Sequence, residues 1–188
     1  MKKYNFVAIS GSLRKSSYNT MALRAAQKLA RENISIEQLS IADVPFYDQD
    51  LYSDTFPQIV DKLAEAIKAS DAVIIVTPEY NYSIPGVLKN AIDFLSRSPK
   101  KPFDMKVIGI MGASPGMLGS ARAQYHLRQV MVYLNAYVMN SPEVMIPQVN
   151  TKFSETGELL DDKTAGQIRK FTDTLSGFSA KMNGFSAS

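Results

Sequence analysis

The sequence predicts a doubly wound α/β protein: a five-stranded parallel sheet of order 2-1-3-4-5 with helices on both faces. Three observations carry this. Short apolar runs alternate regularly with amphipathic stretches of helical period, as in a chain of β-α units. The runs Ala72-Val73-Ile74-Ile75-Val76 and Val107-Ile108-Gly109-Ile110-Met111 are apolar throughout, as strands covered on both faces should be. By contrast, Ile34-Ser35-Ile36-Glu37 alternates, which suits the edge position that this order gives the second strand.

The elements follow in order. Residues 4–9 form the first strand, with Phe6-Val7-Ala8-Ile9 as its apolar body, and an alanine-rich amphipathic helix covers about 20–32. The edge strand at 34–39 leads to a helix at about 57–69. The central strand at 72–77 is followed by a helix at 85–96, whose first turn is set by Pro85. A fourth strand at 106–111, a helix at about 119–135 and a fifth strand around 136–146 complete the sheet. A last helix covers about 161–179. No repeat or linker divides the chain, so residues 1–180 read as one domain, and the small, polar segment 181–188 is expected to fray.

Composition narrows the function. The 188 residues suffice for one substantial core. The net charge of +3 is dispersed and forms no basic stripe, which favours small anionic ligands over nucleic acid. There is no cysteine, so disulfides, thiolate nucleophiles, iron–sulfur clusters and redox dithiols are excluded. Any redox chemistry must come from a bound cofactor. No apolar stretch approaches the ~18 to 20 residues of a membrane span, and the N-terminus lacks a signal-peptide core. No membrane insertion and a cytoplasmic location are expected, and no metal site is assigned.

Three loops at strand carboxyl ends carry the chemistry. The first, Ser10-Gly11-Ser12-Leu13-Arg14-Lys15-Ser16-Ser17-Tyr18-Asn19, joins a strand to a helix N-terminus, where exposed N–H groups favour a phosphate. Its hydroxyls and Arg14 add donors, the arginine a charge-assisted one. A Walker loop or a dinucleotide fingerprint would need glycines at spacings absent here. Without a ligand, the same loop reads as a serine-rich cap, with Ser17 or Asn19 as N-cap.

The second loop, Thr77-Pro78-Glu79-Tyr80-Asn81-Tyr82-Ser83-Ile84-Pro85, offers aromatic stacking area and backbone donors for a polar heterocycle. The bland reading is that its prolines merely end a strand and start a helix. The third, Gly112-Ala113-Ser114-Pro115-Gly116, lets a flat ring approach the backbone, as would any tight turn.

The segments SGSLRKSSYN, TPEYNYSIPGVLKNAIDFLSR and GASPGMLGSARAQYHLRQ, together with Asp43-Val44-Pro45-Phe46-Tyr47-Asp48, resemble the NAD(P)H-dependent FMN reductases of the chromate/quinone reductase type. The resemblance extends over nearly all of residues 4–175. It implies a flavodoxin-like fold, non-covalent FMN and a homo-oligomer, a dimer or tetramer, with flavins near subunit boundaries. By matching positions, Ser12, Arg14, Ser17 and Asn19 surround the FMN phosphate within the Ser10–Asn19 loop, which also includes Gly11, Leu13 and Ser16. Ser16 stands where many relatives have glycine. Pro78, Glu79, Tyr80 and Asn81, with Tyr82 beside them, line the isoalloxazine, and Ser114 with Gly116 closes its other edge.

The implied reaction takes hydride from NADPH or NADH and passes electrons to a quinone, flavin or other small acceptor. The reactive centre is the flavin N5, so no side chain is assigned as catalytic. Two other readings fit part of this pattern: an FMN-binding electron carrier, which would usually present an acidic docking face, and a non-catalytic nucleotide-binding module. His126 has no identifiable catalytic partner and reads as structural or interfacial. Glu79 is a conceivable proton donor, although backbone contact to the flavin is the simpler reading. Met131, Met139 and Met145 lie in apolar surroundings and read as core. Val87, Leu88, Ala91, Ile92 and Leu95 make one helix face, with Phe94 off it. Residues 130–134 are apolar almost all round, which predicts burial on more than one side and a dimer pairing these two helices, with Arg122, Tyr125 and Glu143 adding polar contacts.

Overall fold

The computed structural model describes residues 2–51 and 56–185. Strands β1 (Tyr4–Ser10), β2 (Ile34–Leu39), β3 (Ala72–Val76), β4 (Val107–Ala113) and β5 (Tyr137–Val138) pair in parallel in the order β2-β1-β3-β4-β5. A further short strand, β6 (Val144–Ile146), also pairs with β4. Every residue of β3 and β4 is buried, as their unbroken apolar runs require, whereas Ser35 and Glu37 of β2 are exposed at the edge.

Alternation along the strands divides the core in two. Phe6 and Ala8 of β1 and Ala72, Ile74 and Val76 of β3 meet α1 (Tyr18–Leu29) and α5 (Asp162–Phe185) through Ala22, Leu23, Ile168 and Phe171. Val7, Ile9, Val73 and Ile75 meet the opposite layer. That layer is α2 (Gln58–Ala69), α3 (Gly86–Arg97) and α4 (Ala121–Tyr133), with Val60, Leu63, Leu88, Ile92 and Leu127 facing inward. Each fully buried side chain of this size contributes about 1.5–3 kcal/mol, so both faces hold the sheet firmly.

Five expectations need correction. The fifth strand is not continuous: Asn140-Ser141-Pro142 interrupts it, with a cis Ser141-Pro142 bond, and a proline has no N–H to give a ladder. Phe94 is fully buried rather than off the packed face, because Tyr47 and Phe56 close over it edge-on at ring centroid distances of 5.1 and 5.8 Å. Tyr47 is itself anchored to α3, where Asn90 Oδ1 accepts from its N–H at 2.9 Å.

Residues 130–134 are not buried all round: Met131 is enclosed, but Val132 and Tyr133 are 76% and 84% exposed. Met131 and Met139 are core, and Met145 is half-buried. The last helix outruns its expected end and takes in residues 181–185 of the segment expected to fray. Ser179 Oγ and Asn183 Nδ2 both donate to the Asp71 carbonyl, at 2.9 and 3.2 Å, and this ties its last turns to the start of β3. Residues 186–188 lie outside the described residues.

Candidate active site

The three loops singled out in the sequence leave neighbouring strands at one end of the sheet. Gly11 N–H donates to the Val76 carbonyl at 2.8 Å, and Thr77 N–H donates to the Met111 carbonyl at 2.9 Å. A methyl group on Gly11 would lie 3.4 Å from the Pro78 ring, so the first and second loops touch. On Gly112 it would lie 2.0 Å from Ser120 Oγ and 2.2 Å from the Thr77 carbonyl oxygen, a space that only glycine permits.

The first loop is built as an anion cradle. Ser17 caps α1, its hydroxyl accepting from Thr20 N–H at 3.3 Å. Ser12 Oγ accepts from Arg14 N–H at 3.4 Å, and Ser10 Oγ lies 3.0 Å from Thr20 Oγ1. The N–H groups of Leu13, Lys15, Ser16, Tyr18 and Asn19 have no acceptor among the described residues. The exposed Arg14 guanidinium likewise has no acidic partner among them. Free N–H groups at a helix N-terminus beside an unpaired cation are what a phosphate monoester requires. These residues fit the phosphate of FMN.

Asn19 departs from its expected place in that cradle. Its buried amide makes a reciprocal pair with β4: Nδ2 donates to the Ala113 carbonyl at 3.0 Å, and Oδ1 accepts from Ala113 N–H at 2.9 Å. The side chain therefore joins α1 to the third loop, and only its N–H faces the cradle.

The second loop is a tight hairpin. Tyr80 and Ser83 exchange N–H···O bonds of 3.1 and 3.0 Å across Asn81 and Tyr82, whose φ values of 50° and 65° are both left-handed. Two such residues make a type I′ turn, easy for asparagine and strained for tyrosine by roughly 1–2 kcal/mol. Helix α4 supplies the restraint. The Glu79 carboxylate, 11% exposed, receives Arg122 Nη1 at 3.0 Å. It also accepts from Arg122 N–H at 2.9 Å and Ala123 N–H at 3.3 Å. Glu79 thus caps α4 from outside the helix, where a negative charge meets the positive end of the dipole.

The Arg122 guanidinium then stacks over the Tyr82 ring, 3.8 Å from its centroid. His126 Nδ1 pairs with Ser83 Oγ at 3.0 Å, a structural tie. The Glu79 side chain therefore holds the loop to α4. Tyr80 and Tyr82 stay exposed.

The third loop is fixed from β6. Ser114 N–H donates to the Ile146 carbonyl at 3.1 Å, and Gln148 N–H donates to the Gly116 carbonyl at 3.1 Å. The Ser114 N–H is thus engaged, while that of Gly116 has no acceptor among the described residues. Sequence reasoning missed Gln124, which is buried and whose Nε2 donates to the Val144 carbonyl at 3.1 Å and to Ser120 Oγ at 3.3 Å. A buried glutamine within an apolar helix pattern was the available signal. Tyr125 and Glu143, expected at an interface, lie 3.5 Å apart within this chain.

Among the described residues no helix is long and apolar enough to cross a membrane. Residues 4–151 match the family of NADPH-dependent FMN reductases. The chain is 48% identical over 169 residues to an NAD(P)H-dependent FMN reductase of Pseudomonas aeruginosa, covering 90% of this chain and 91% of that protein. It is also 48% identical over 181 residues to a quinone reductase of Escherichia coli K12, covering 93% and 96%. A solved structure, the flavoenzyme NAD(P)H:(acceptor) oxidoreductase FerB from Paracoccus denitrificans, superposes with a TM-score of 0.86 at 35% identity, over 95% of this chain and 98% of that one. Neither the carrier reading nor the non-catalytic module is favoured by these relatives. A phosphate cradle, an aromatic hairpin and a glycine-rich turn on a flavodoxin-like sheet thus agree with the comparisons: the chain belongs to the NADPH-dependent FMN reductase family.

Proposed function

We propose that the protein is an FMN-dependent oxidoreductase that oxidises NAD(P)H and reduces a quinone, flavin or comparable small acceptor. The observation that carries this is the Ser10–Asn19 cradle, with its unpartnered N–H groups and unpaired Arg14 beside the helix N-terminus. FMN, when bound, supplies the two-electron chemistry that this cysteine-free chain lacks.

The protein's own residues bind, orient and shield. Ser12, Ser17, Arg14 and the loop N–H groups hold the phosphate, and Gly11 lets that loop sit against Pro78. Pro78, the Glu79 backbone, Tyr80, Asn81 and Tyr82 form one wall of the ring site. Ser114 and Gly116 form the other, the free Gly116 N–H being a donor for charge developing on the ring.

Val132 and Tyr133 are exposed on α4, the helix of the His126–Ser83 tie, and this supports a homo-oligomer paired through α4. The same reading places the work in the cytoplasm, as the sequence expects. Flavin titration of the apoprotein, followed by fluorescence, tests the cradle. Arg14→Ala should weaken FMN about ten- to a hundredfold, the loss of one charge-assisted contact. Unchanged affinity would show the phosphate to sit elsewhere.

A further inference from the structure

The end of the sheet opposite the three loops carries a group of cations that flavin binding leaves unused. A cleft of about 340 Å3 lies there, between the C-terminus of α2 and the connection from α3 to β4. Four lysines line it, Lys68, Lys100, Lys101 and Lys106, against one carboxylate, that of Asp104. Asp104 Oδ1 already accepts from Asn135 Nδ2 at 2.8 Å. Lys100 pairs with Asp61 at 3.0 Å and with Glu65 at 3.5 Å. Lys68, Lys101 and Lys106 have no acidic partner at ion-pair distance among the described residues.

Lys106 differs from its neighbours. It is half-buried just ahead of β4, and its Nζ donates to the Ser70 carbonyl at 2.6 Å and the Lys68 carbonyl at 3.1 Å. Both carbonyls belong to the C-terminal end of α2, so Lys106 by itself is a staple, a cation at the negative end of a helix. Lone surface lysines, for their part, simply meet water. Neither account explains why Lys68 and Lys101 share one cleft with a half-buried amine. Such a cleft is complementary to a small polyanion, and it has room for several waters and so for a small phosphate ester or anhydride.

The nitrogen itself adds a second observation. A neutral amine has two N–H bonds and one lone pair. The two carbonyls take both N–H bonds, which leaves the lone pair as the free position on Nζ. Burial lowers the Lys106 pKa from 10.5; Asp71 opposes this at longer range and Lys68 adds to it. A desolvated lysine beside another cation is the nucleophilic kind.

We propose that Lys106 is an acylation site, and that the cleft presents it with an acyl phosphate whose phosphate is held by Lys68 and Lys101. In the transfer the Nζ lone pair attacks the acyl carbonyl carbon. The N–C bond forms, the bond from that carbon to the phosphate oxygen breaks, and inorganic phosphate leaves with the electron pair. The surplus proton on nitrogen passes to water. The product amide has one N–H to offer two carbonyls, so one tie to α2 is lost together with a positive charge.

The test treats the FMN-loaded protein with acetyl phosphate and follows acetylation at each lysine by peptide mass spectrometry. Lys106 should be modified about tenfold faster than the exposed Lys62 and Lys163. Replacing Lys68 and Lys101 together by alanine should remove most of that preference, and inorganic phosphate should slow the reaction at Lys106 more than at Lys163. With the neutral donor N-hydroxysuccinimidyl acetate, which has no phosphate to hold, the preference should shrink. Acetylated wild type should unfold at a lower urea concentration than untreated protein, and Lys106→Arg, which keeps the charge and takes no acyl group, should shift less after the same treatment. A Lys106 that reacts no faster than Lys163, a preference that survives the loss of Lys68 and Lys101, or an equal preference with the neutral donor would overturn the proposal.

Discussion

Replacing Glu79 tests the role of α4 as the restraint on the aromatic hairpin. Its carboxylate accepts two N–H groups from the first turn of α4 and one contact from the Arg122 guanidinium. Glu79→Ala removes all three. Loss of a cap costs about 1 kcal/mol, within a range of roughly 0.5–2. The Arg122 side chain is 41% exposed, so its ion pair adds only about 0.5–1 kcal/mol. The total destabilisation is therefore about 1–3 kcal/mol.

Glu79→Gln keeps an acceptor oxygen and loses the charge, so it should cost about half as much. Urea unfolding would show this as a midpoint falling in the order wild type, Gln, Ala with an unchanged slope. FMN affinity should fall in the same order, because Arg122 would no longer be held over Tyr82. A Glu79→Ala protein as stable as the wild type, or a Gln variant as damaged as Ala, would refute the reasoning.

Gly112→Ala would place a methyl group 2.0 Å from Ser120 Oγ and 2.2 Å from the Thr77 carbonyl. Because the carbonyl belongs to the backbone, a loss of roughly 3 kcal/mol or more in unfolding free energy is expected, together with weaker FMN binding. Asn19→Ala removes a buried pair of hydrogen bonds to Ala113 and leaves both backbone groups unpaired, which should cost about 2–4 kcal/mol by chemical denaturation. It should weaken FMN far less than Arg14→Ala does, since its amide faces β4.

The Thr164 hydroxyl, and then its N–H at 2.8 Å, donate to the Asp161 carboxylate at the start of α5, which lowers its pKa below the ordinary 3.8. That stabilisation is complete above about 3.8 and is lost as pH falls through the lowered value; acid titration of Asp161→Asn should lack this component. Lys106 behaves oppositely at high pH. Burial lowers its pKa from 10.5, so its folded-state cost is present below the lowered value and disappears as pH rises to 10.5. Lys106→Met should flatten stability over that window.

The central strands and the three loops were legible because their signals are local. An unbroken run such as Ala72–Val76 can only be a strand covered twice, and hydroxyls followed by a helix can only cap or bind. What escaped was set by distant partners. Asn19 looks like a cap or a ligand until Ala113, 94 residues away, is placed beside it. Glu79 looks like a ring contact until Arg122 arrives 43 residues later. Phe94 is packed with the rest of α3, and Tyr47 and Phe56, dozens of residues earlier in the chain, close over it edge-on. The break at Pro142 was visible in the sequence, but an apolar run around it read as one strand.

The central claim is that these loops hold an FMN that is reduced by pyridine nucleotide. Anaerobic stopped-flow mixing of the FMN-loaded protein with NADPH, recording the flavin's visible absorbance, tests it most directly. Rapid loss of the yellow colour is expected, restored on addition of a quinone. A flavin that stays oxidised with both NADPH and NADH would contradict it.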